Sequence, residues 1–358
     1  RDLHLSIRRQ RQMCIRDRPN PRGWGFFLED KVNEDGYQAI CTPGVMRGIE
    51  TMLNRWCTRE LSELWDTAIR FCTEGWPVSA GMAARWKEPP MYYETSSLRQ
   101  KLNVTAEAQR IYLKSDGTTL EMGDVLHNPD YGRTLGRVVE KGVGDFYTGD
   151  LAGEMIADLT AHEAWVTAED LRNYTVREEP AVVGTYRGLQ VVSSQPPHGG
   201  PTLIAILNIL EGYELRSLGH NSAEYIYLVS MAMKAAFADR NRHLADPQHI
   251  KVPLEWLTSK ERAAEWRDVI DRGEPINVGR RQHDAPDTTH VTVVDDAGNC
   301  VSLTHSLGTS SGVISPNLGF MYNNSMVNFE PQPGHPNSIA PGKGRTTGMT
   351  PTMVMKDS

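Results

Sequence analysis

No stretch of this 358-residue chain is apolar for long enough to cross a bilayer as a helix, which takes about 20 consecutive apolar residues. An excess of positive charge is also missing: 38 Lys and Arg stand against 45 Asp and Glu, a net charge of -7. Phosphate backbones are held by basic faces, so nucleic acid is excluded as the main partner. Cysteine is scarce and scattered. Cys14, Cys41, Cys57, Cys72 and Cys300 form no CxxC pair. That pattern gives neither a disulfide framework nor a zinc site, and no metal or other cofactor is expected. No repeat of 20–50 residues is visible. The first residues lack a starting methionine and the apolar centre of a signal peptide, so the compartment, periplasmic or cytoplasmic, stays open.

What is present is an ordinary globular composition, with 39% apolar and 23% charged residues. The ends are unusual. Residues 1-18, RDLHLSIRRQRQMCIRDR, hold six arginines. A basic tail for an acidic partner is one reading; resemblance to translated sequencing adaptor is the one adopted, so residues 1-18 are set aside as non-native. The other end, 350-TPTMVMKDS-358, reads as a strand and a turn, and the chain is expected to be a fragment at both ends.

Between the ends, helical periodicity runs through 43-75 and 99-114. The segment 145-DFYTGDLAGEMIADLTAHEAW-165 turns at Thr148-Gly149 into a helix, and 167-TAEDLRNY-174 is a short helix capped by Thr167. A hairpin is expected over 179-195, and two apolar buried helices over 202-215 and 222-240. Helices dominate to about residue 270 and strands after 288. The linker 272-RGEPINVGRRQHDAPD-287 has no apolar periodicity and suits an exposed, cleavable segment.

The stretch 288-TTHVTVVDDAGNCVSLTHSLGTSSG-312 follows that linker. It reads as a hairpin in which 290-HVTVVD-295 pairs with 300-CVSLTH-305 across a four-residue turn, Asp296 to Asn299. A cut before Thr288 would leave a free α-amine beside the Thr288 hydroxyl. Such an amine titrates near pH 8 and serves as a base for its own side chain, the N-terminal-threonine form of an activated nucleophile.

The ordered blocks 42-TPGVMRG-48, 145-DFYTGDLA-152, 167-TAEDLRNY-174, 184-GTYRG-188, 195-QPPHGG-200, 207-LNILEGY-213, 234-KAAFADR-240, 246-DP-247, 288-TTHVTVVDDAGN-299, 323-NNSMVNF-329 and 342-GKGRTTGMTPTMV-354 resemble the gamma-glutamyltransferase family. The resemblance implies an α+β fold, the N-terminal-nucleophile (Ntn) hydrolase four-layer αββα sandwich. It implies self-cleavage between Asp287 and Thr288, with 19-287 as the large-subunit portion and 288-358 as a truncated small-subunit portion, the two fragments staying associated. It implies that Thr288 is the nucleophile, attacking a small-molecule amide donor and passing the acyl group to water or an amine acceptor.

Departures from the family pattern fall on the substrate positions. The supporting threonine on the second strand is Ser306, which keeps a hydroxyl. An asparagine two residues on is Gly308. In 323-NNSMVNF-329, Asn323 and Asn324 are kept, the glutamine is Ser325 and the second acid is Asn328. The serine pair that holds the α-carboxylate is Thr347-Gly348. The family's carboxylate-binding arginine belongs upstream of the TPG block and its oxyanion glycines beyond Ser358. The resemblance therefore keeps the reacting centre and alters the glutamyl pocket. Three functions stay open: a gamma-glutamyl hydrolase or transferase, an acylase acting on another small acyl amide, and an unprocessed binding homologue.

Simpler readings exist for each feature. Thr288 and Thr289 are also good β-formers. His290 and His305, facing each other in the expected register, make at most half a metal site, and a hydrogen-bonding role suits them better. The loop 308-GTSSG-312 has no lysine for a phosphate. The N-x-S match at 323-NNS-325 reads as pocket wall rather than a glycosylation site. The KAAFADR segment reads as core helix.

Overall fold

The computed structural model describes residues 28–90, 95–279 and 288–356. Residues 1–18, the end of the linker including Asp287, and residues 357–358 lie outside the described residues. The chain forms two compact units. One comprises residues 27–177 and 307–327; the other comprises 178–306 and 328–358.

The first unit contains helices α1 (Val45–Arg55), α2 (Leu61–Glu74), α3 (Ala80–Lys87), α4 (Leu98–Lys101), α5 (Ala106–Tyr112), α6 (Pro129–Lys141), α7 (Gly144–Thr148), α8 (Asp150–Ala161) and α9 (Ala168–Asn173) and the short antiparallel pair β1 (Trp76–Pro77) and β2 (Val125–Leu126). Local signals start these helices where the sequence places them. Asn128 caps α6 by accepting from Tyr131 N, with a proline in the first turn. Thr167 and Asp170 form the capping box of α9. The break between α7 and α8 falls at Gly149, as expected. Val138, Phe146, Tyr147, Leu151, Met155 and Leu159 from these helices form the main core. Val313, Leu318 and Tyr322 from the late segment complete it, so residues 307–327 are anchored by burial, not by a ladder.

In the second unit, β3 (Val182–Tyr186), β4 (Leu189–Ser193) and β7 (Thr352–Lys356) form an antiparallel sheet in that order. Ile204 of α10 (Gly200–Glu211) packs on Val182 and Val191. Beside it, α11 (Ala223–His243), α12 (Leu254–Leu257) and α13 (Lys260–Asp271) complete the helical part. Ala235, Ala236 and Ala238 of the KAAFADR segment are buried, as a core helix requires. Asp239 is buried with them, and Arg262 neutralises it at 2.6 Å while the Trp266 indole donates to it at 2.7 Å. The outer face of α11 is less buried than its apolar sequence suggests, with Ile226 and Tyr227 exposed.

The α+β expectation holds, but strands do not dominate after residue 288. Apart from the hairpin β5 (Thr289–Val294) and β6 (Cys300–His305), a single 3-10 turn at Ser325–Asn328 and the strand β7, the described residues of this part are irregular, with isolated bridges at Ile314–Met321 and Glu330–Ser338. Pro331, Pro333, Pro336 and Pro341 explain much of this, because proline cannot donate to a ladder.

Candidate active site

The hairpin register differs by one residue from the sequence expectation. Val294 pairs with Cys300, and Asp295 with Asn299 closes a loop of Asp296, Ala297 and Gly298. The Asp295 carboxylate accepts from Asn299 N and Nδ2, both at 2.8 Å. Gly298 takes φ +83°. A three-residue loop ending in a left-handed glycine is a favoured hairpin closure, and here it wins over the four-residue turn.

That shift decides which side chains meet, because facing pairs alternate between the two sides of a ladder. Extended by one pair, the observed register sets Thr288 opposite Ser306, and Thr288 Oγ1 donates to Ser306 Oγ at 3.2 Å. His290 faces Thr304 and His305 faces Thr289, so the two histidines do not oppose each other as expected. Both ring nitrogens of His290 engage hydroxyls, Nδ1 with Thr304 at 2.7 Å and Nε2 with Thr292 at 3.0 Å. Thr288, His290 and Thr292 therefore share one polar side of the hairpin, and Thr289 lies on the other. Thr288 is exposed, and the peptide joining it to Asp287 lies at the edge of the described residues.

Among the positions at which the family pattern is expected to bind the donor, the second unit carries Asn328, Thr347 and Gly348. A residue without any signal in the sequence ties them together. Asn337 is fully buried; its Nδ2 donates to Asn328 O at 2.7 Å and its Oδ1 accepts from Thr346 N at 3.0 Å. Thr347 N donates to Pro197 O at 3.1 Å, and Gly199 N to Met349 O at 3.0 Å. The QPPHGG loop, which carried no assigned role in the sequence, thus frames the Thr347-Gly348 segment. Asp246, also fully buried, accepts from Gly344 N at 2.6 Å and from Gln248 N at 3.0 Å, which places the DP block at the base of the same segment. Burial lowers the pKa of Lys343, whose ammonium donates to Pro336 O and Ser338 O.

The first unit carries Gly308, Asn323, Asn324 and Ser325. Asn323 brackets Cys41, accepting from its N–H at 3.1 Å and donating to its carbonyl at 2.8 Å, and also accepts from Ser325 N at 3.0 Å. Asn324 is fully buried, and its Nδ2 donates to Thr309 Oγ1 at 2.7 Å and to Glu34 O at 3.2 Å. Its Oδ1 stands against Gly308, where an added Cβ would meet it at 2.2 Å. Beneath this lies a buried ion cluster that no sequence motif signalled. Lys101 Nζ sits 3.3 Å from both Glu34 and Asp35. Burial pushes the Glu34 carboxyl above the usual range, with Lys101 opposing and Asp35 adding to the rise.

Among the described residues, no group of three or more His, Cys, Asp or Glu is placed to hold a metal ion, and no helix is long and apolar enough to cross a membrane.

Residues 25–358 match the Gamma-glutamyltranspeptidase family. The chain is 32% identical over 357 residues to the glutathione hydrolase proenzyme of Escherichia coli (strain K12), covering 93% of this chain and 60% of that protein. It is 33% identical over 333 residues to the acylase ACY 1 proenzyme of Pseudomonas sp. (strain SE83), covering 92% and 58%. The crystal structure of a cephalosporin acylase from Bacillus halodurans superposes with a TM-score of 0.75 at 26% identity, over 90% of this chain and 59% of that one. The chain thus spans about three fifths of the length of the relatives it matches. On this match, and with an α+β structure like that of the acylase, the chain belongs to the gamma-glutamyltranspeptidase family.

Proposed function

We propose that this chain is the greater part of a self-cleaving amide hydrolase or acyltransferase with Thr288 as its nucleophile. The observation that carries the reading is the Thr288–Ser306 hydroxyl pair, at 3.2 Å, immediately after the linker. In the first reaction the Thr288 hydroxyl adds to the carbonyl of Asp287. The C–N bond breaks, the nitrogen takes up the proton that the hydroxyl gives up, and an ester joins Asp287 to the Thr288 oxygen. Water hydrolyses the ester, which releases the Asp287 carboxylate and a free Thr288 α-amine. Residues 19-287 and 288-358 then belong to different polypeptides.

In turnover the α-amine takes the hydroxyl proton as Oγ1 attacks the carbonyl of a small acyl amide. The proton passes to the leaving amine, and the acyl-threonine ester is resolved by water or an acceptor amine. Ser306 steadies the Thr288 oxygen from across the ladder. Asp287, which lies outside the described residues, and Thr288 flank the cut. Gly308, Asn323, Asn324, Ser325, Asn328, Thr347 and Gly348 stand at the donor-binding positions of the family pattern.

Glutathione hydrolase and acylase activity both occur in the names of the relatives. Gly308, Ser325 and Asn328 favour a donor without a glutamyl α-amine, because none of them supplies the anion that a buried ammonium needs. The test is N-terminal sequencing of the smaller fragment from the full-length gene product. A start at TTHVTVV supports the reading; an uncut, folded protein or another start overturns it.

A further inference from the structure

We propose that Lys101 is a positioning residue for the donor site: its buried ammonium orients Thr309, and Thr309 fixes the Asn324 carboxamide against Gly308. The inference rests on the reading of Asn324 and Gly308 as donor-binding positions. It adds a residue that lies far away in sequence and touches neither the hairpin nor the donor positions directly.

Lys101 ends α4, and its side chain is 1% exposed. The ammonium donates to Thr309 Oγ1 at 2.7 Å and to Ser310 O at 2.9 Å, and lies 3.3 Å from Glu34 Oε1 and Asp35 Oδ1. An ammonium has donors only, so Thr309 Oγ1 meets it as an acceptor. Asn324 Nδ2 reaches the same oxygen at 2.7 Å. Its second partner is Glu34 O, a carbonyl that can only accept, at 3.2 Å. Glu34 O and the lysine-held Thr309 oxygen together place Nδ2 on their side, and Oδ1 faces Gly308 without a hydrogen-bond partner among the described residues. The backbone is tied as well, since Asn324 N donates to Leu307 O at 3.1 Å.

The loop is packed closely at both ends, against Asn324 at one and against Lys101 at the other. At Gly308 a Cβ would collide with Asn324 Oδ1 at 2.2 Å, and at Gly312 with Lys101 O at 2.3 Å. A buried ion cluster is a poor way to add stability, because apolar side chains of similar volume usually pack there at no loss. What this cluster supplies is direction: a donor held beside two carboxylates and aimed at the Thr309 hydroxyl and the Ser310 carbonyl.

Lys101→Met is the wrong first test, since it leaves the buried Glu34 and the half-buried Asp35 without their cation and threatens the fold itself. Thr309→Val keeps the shape, removes the acceptor, and leaves Lys101 its contacts to Glu34, Asp35 and Ser310. In the full-length gene product, Thr309→Val is expected to raise KM for a glutaryl anilide about tenfold, the effect of one lost hydrogen bond, with kcat nearly unchanged. Its crystal structure is expected to show the Asn324 carboxamide turned from Gly308, and Thr309→Ser is expected to restore both. An Asn324 that keeps its orientation in Thr309→Val overturns the proposal, as does an unchanged KM, or a loss of activity that Thr309→Ser does not rescue. If the unaltered protein turns over no acyl anilide, the functional reading fails, and the Asn324 orientation in Thr309→Val still decides the relay.

Discussion

Thr288 and Ser306 face each other one pair beyond the ladder of the β5–β6 hairpin, their hydroxyl oxygens 3.2 Å apart. A hydroxyl opposite Thr288, the proposed nucleophile, is most valuable while the attacking oxygen carries developing charge. A hydrogen bond to a charged group contributes about 1.5–3 kcal/mol. Ser306→Ala is therefore expected to slow self-cleavage and turnover by roughly 10- to 100-fold, and Ser306→Thr to keep most of both. Gel-based cleavage rates on freshly purified protein check this; wild-type rates in Ser306→Ala mean the pair is incidental.

The alternation of side chains separates two neighbouring threonines. Thr288 shares its side of the hairpin with His290, and Thr289 pairs with His305 on the other. Thr288→Ala is expected to abolish cleavage and turnover, since the covalent route is gone, while Thr289→Ala retains part of each. Mass spectrometry of the two variants reads the cleavage directly. Equal loss in both identifies the wrong threonine.

Asn337 offers a test of the second unit alone. Its buried carboxamide holds Asn328 O and Thr346 N, so Asn337→Ala strips a partner from two groups at once. Each buried polar group left unsatisfied costs about 1–3 kcal/mol. A loss of roughly 2–5 kcal/mol in urea denaturation is expected on that basis, with KM for the donor rising in whatever protein remains folded. A loss below about 1 kcal/mol would show that water replaces the side chain freely.

Much of this fold is legible in the sequence where the signal is local. The capping box at Thr167, the break at Gly149 and the hairpin of β3 and β4 follow from residues close together in the chain. The hairpin after Thr288 is legible as a hairpin but not in register. A four-residue turn and a three-residue loop both suit Asp-Asp-Ala-Gly-Asn, and the choice is made by the Asp295–Asn299 hydrogen bonds. With the four-residue turn Thr288 would oppose Leu307, and the hydroxyl pair would be lost. The resemblance named Thr288 and Ser306 without supplying that geometry. Lys101 and Asn337 left no trace. A lysine in a short helical stretch reads as solvated, and its burial depends on Thr309, 208 residues away. An asparagine among prolines reads as a turn residue, whatever its side chain holds.

Restoring the family residue at position 308 is expected to fail. Gly308 has φ +73°, which asparagine tolerates better than most residues, so the backbone is not the main obstacle. The obstacle is Asn324 Oδ1, 2.2 Å from the new Cβ, on a carboxamide whose Nδ2 donates to Thr309 and Glu34 O. Gly308→Asn is expected to destabilise the protein by roughly 1–3 kcal/mol without improving use of a gamma-glutamyl donor. Thermal unfolding and kcat/KM for a gamma-glutamyl anilide, measured together, check both parts. A gain in kcat/KM means the Asn324 side chain moves aside at little cost.

Donor choice follows from charge. A gamma-glutamyl group brings an ammonium and a carboxylate into its pocket. Burying an ammonium without an acid partner costs several kcal/mol, and even one lost charged hydrogen bond costs about 1.5–3 kcal/mol. At the positions where the family pattern has Asn, Gln and a second acid, this chain has Gly308, Ser325 and Asn328, and none is anionic. Glu34 and Asp35, the carboxylates of the buried cluster, already share Lys101. The full-length, self-cleaved protein is therefore expected to use gamma-glutamyl anilide at roughly one tenth or less of the kcat/KM of a family member with the full set. Des-amino glutaryl anilide, which lacks the ammonium, is expected to be used at least as well as its amino-bearing counterpart. Steady-state kinetics on the two anilides decide it: a strong preference for the amino-bearing donor requires an anionic residue outside these positions, and the charge argument then fails.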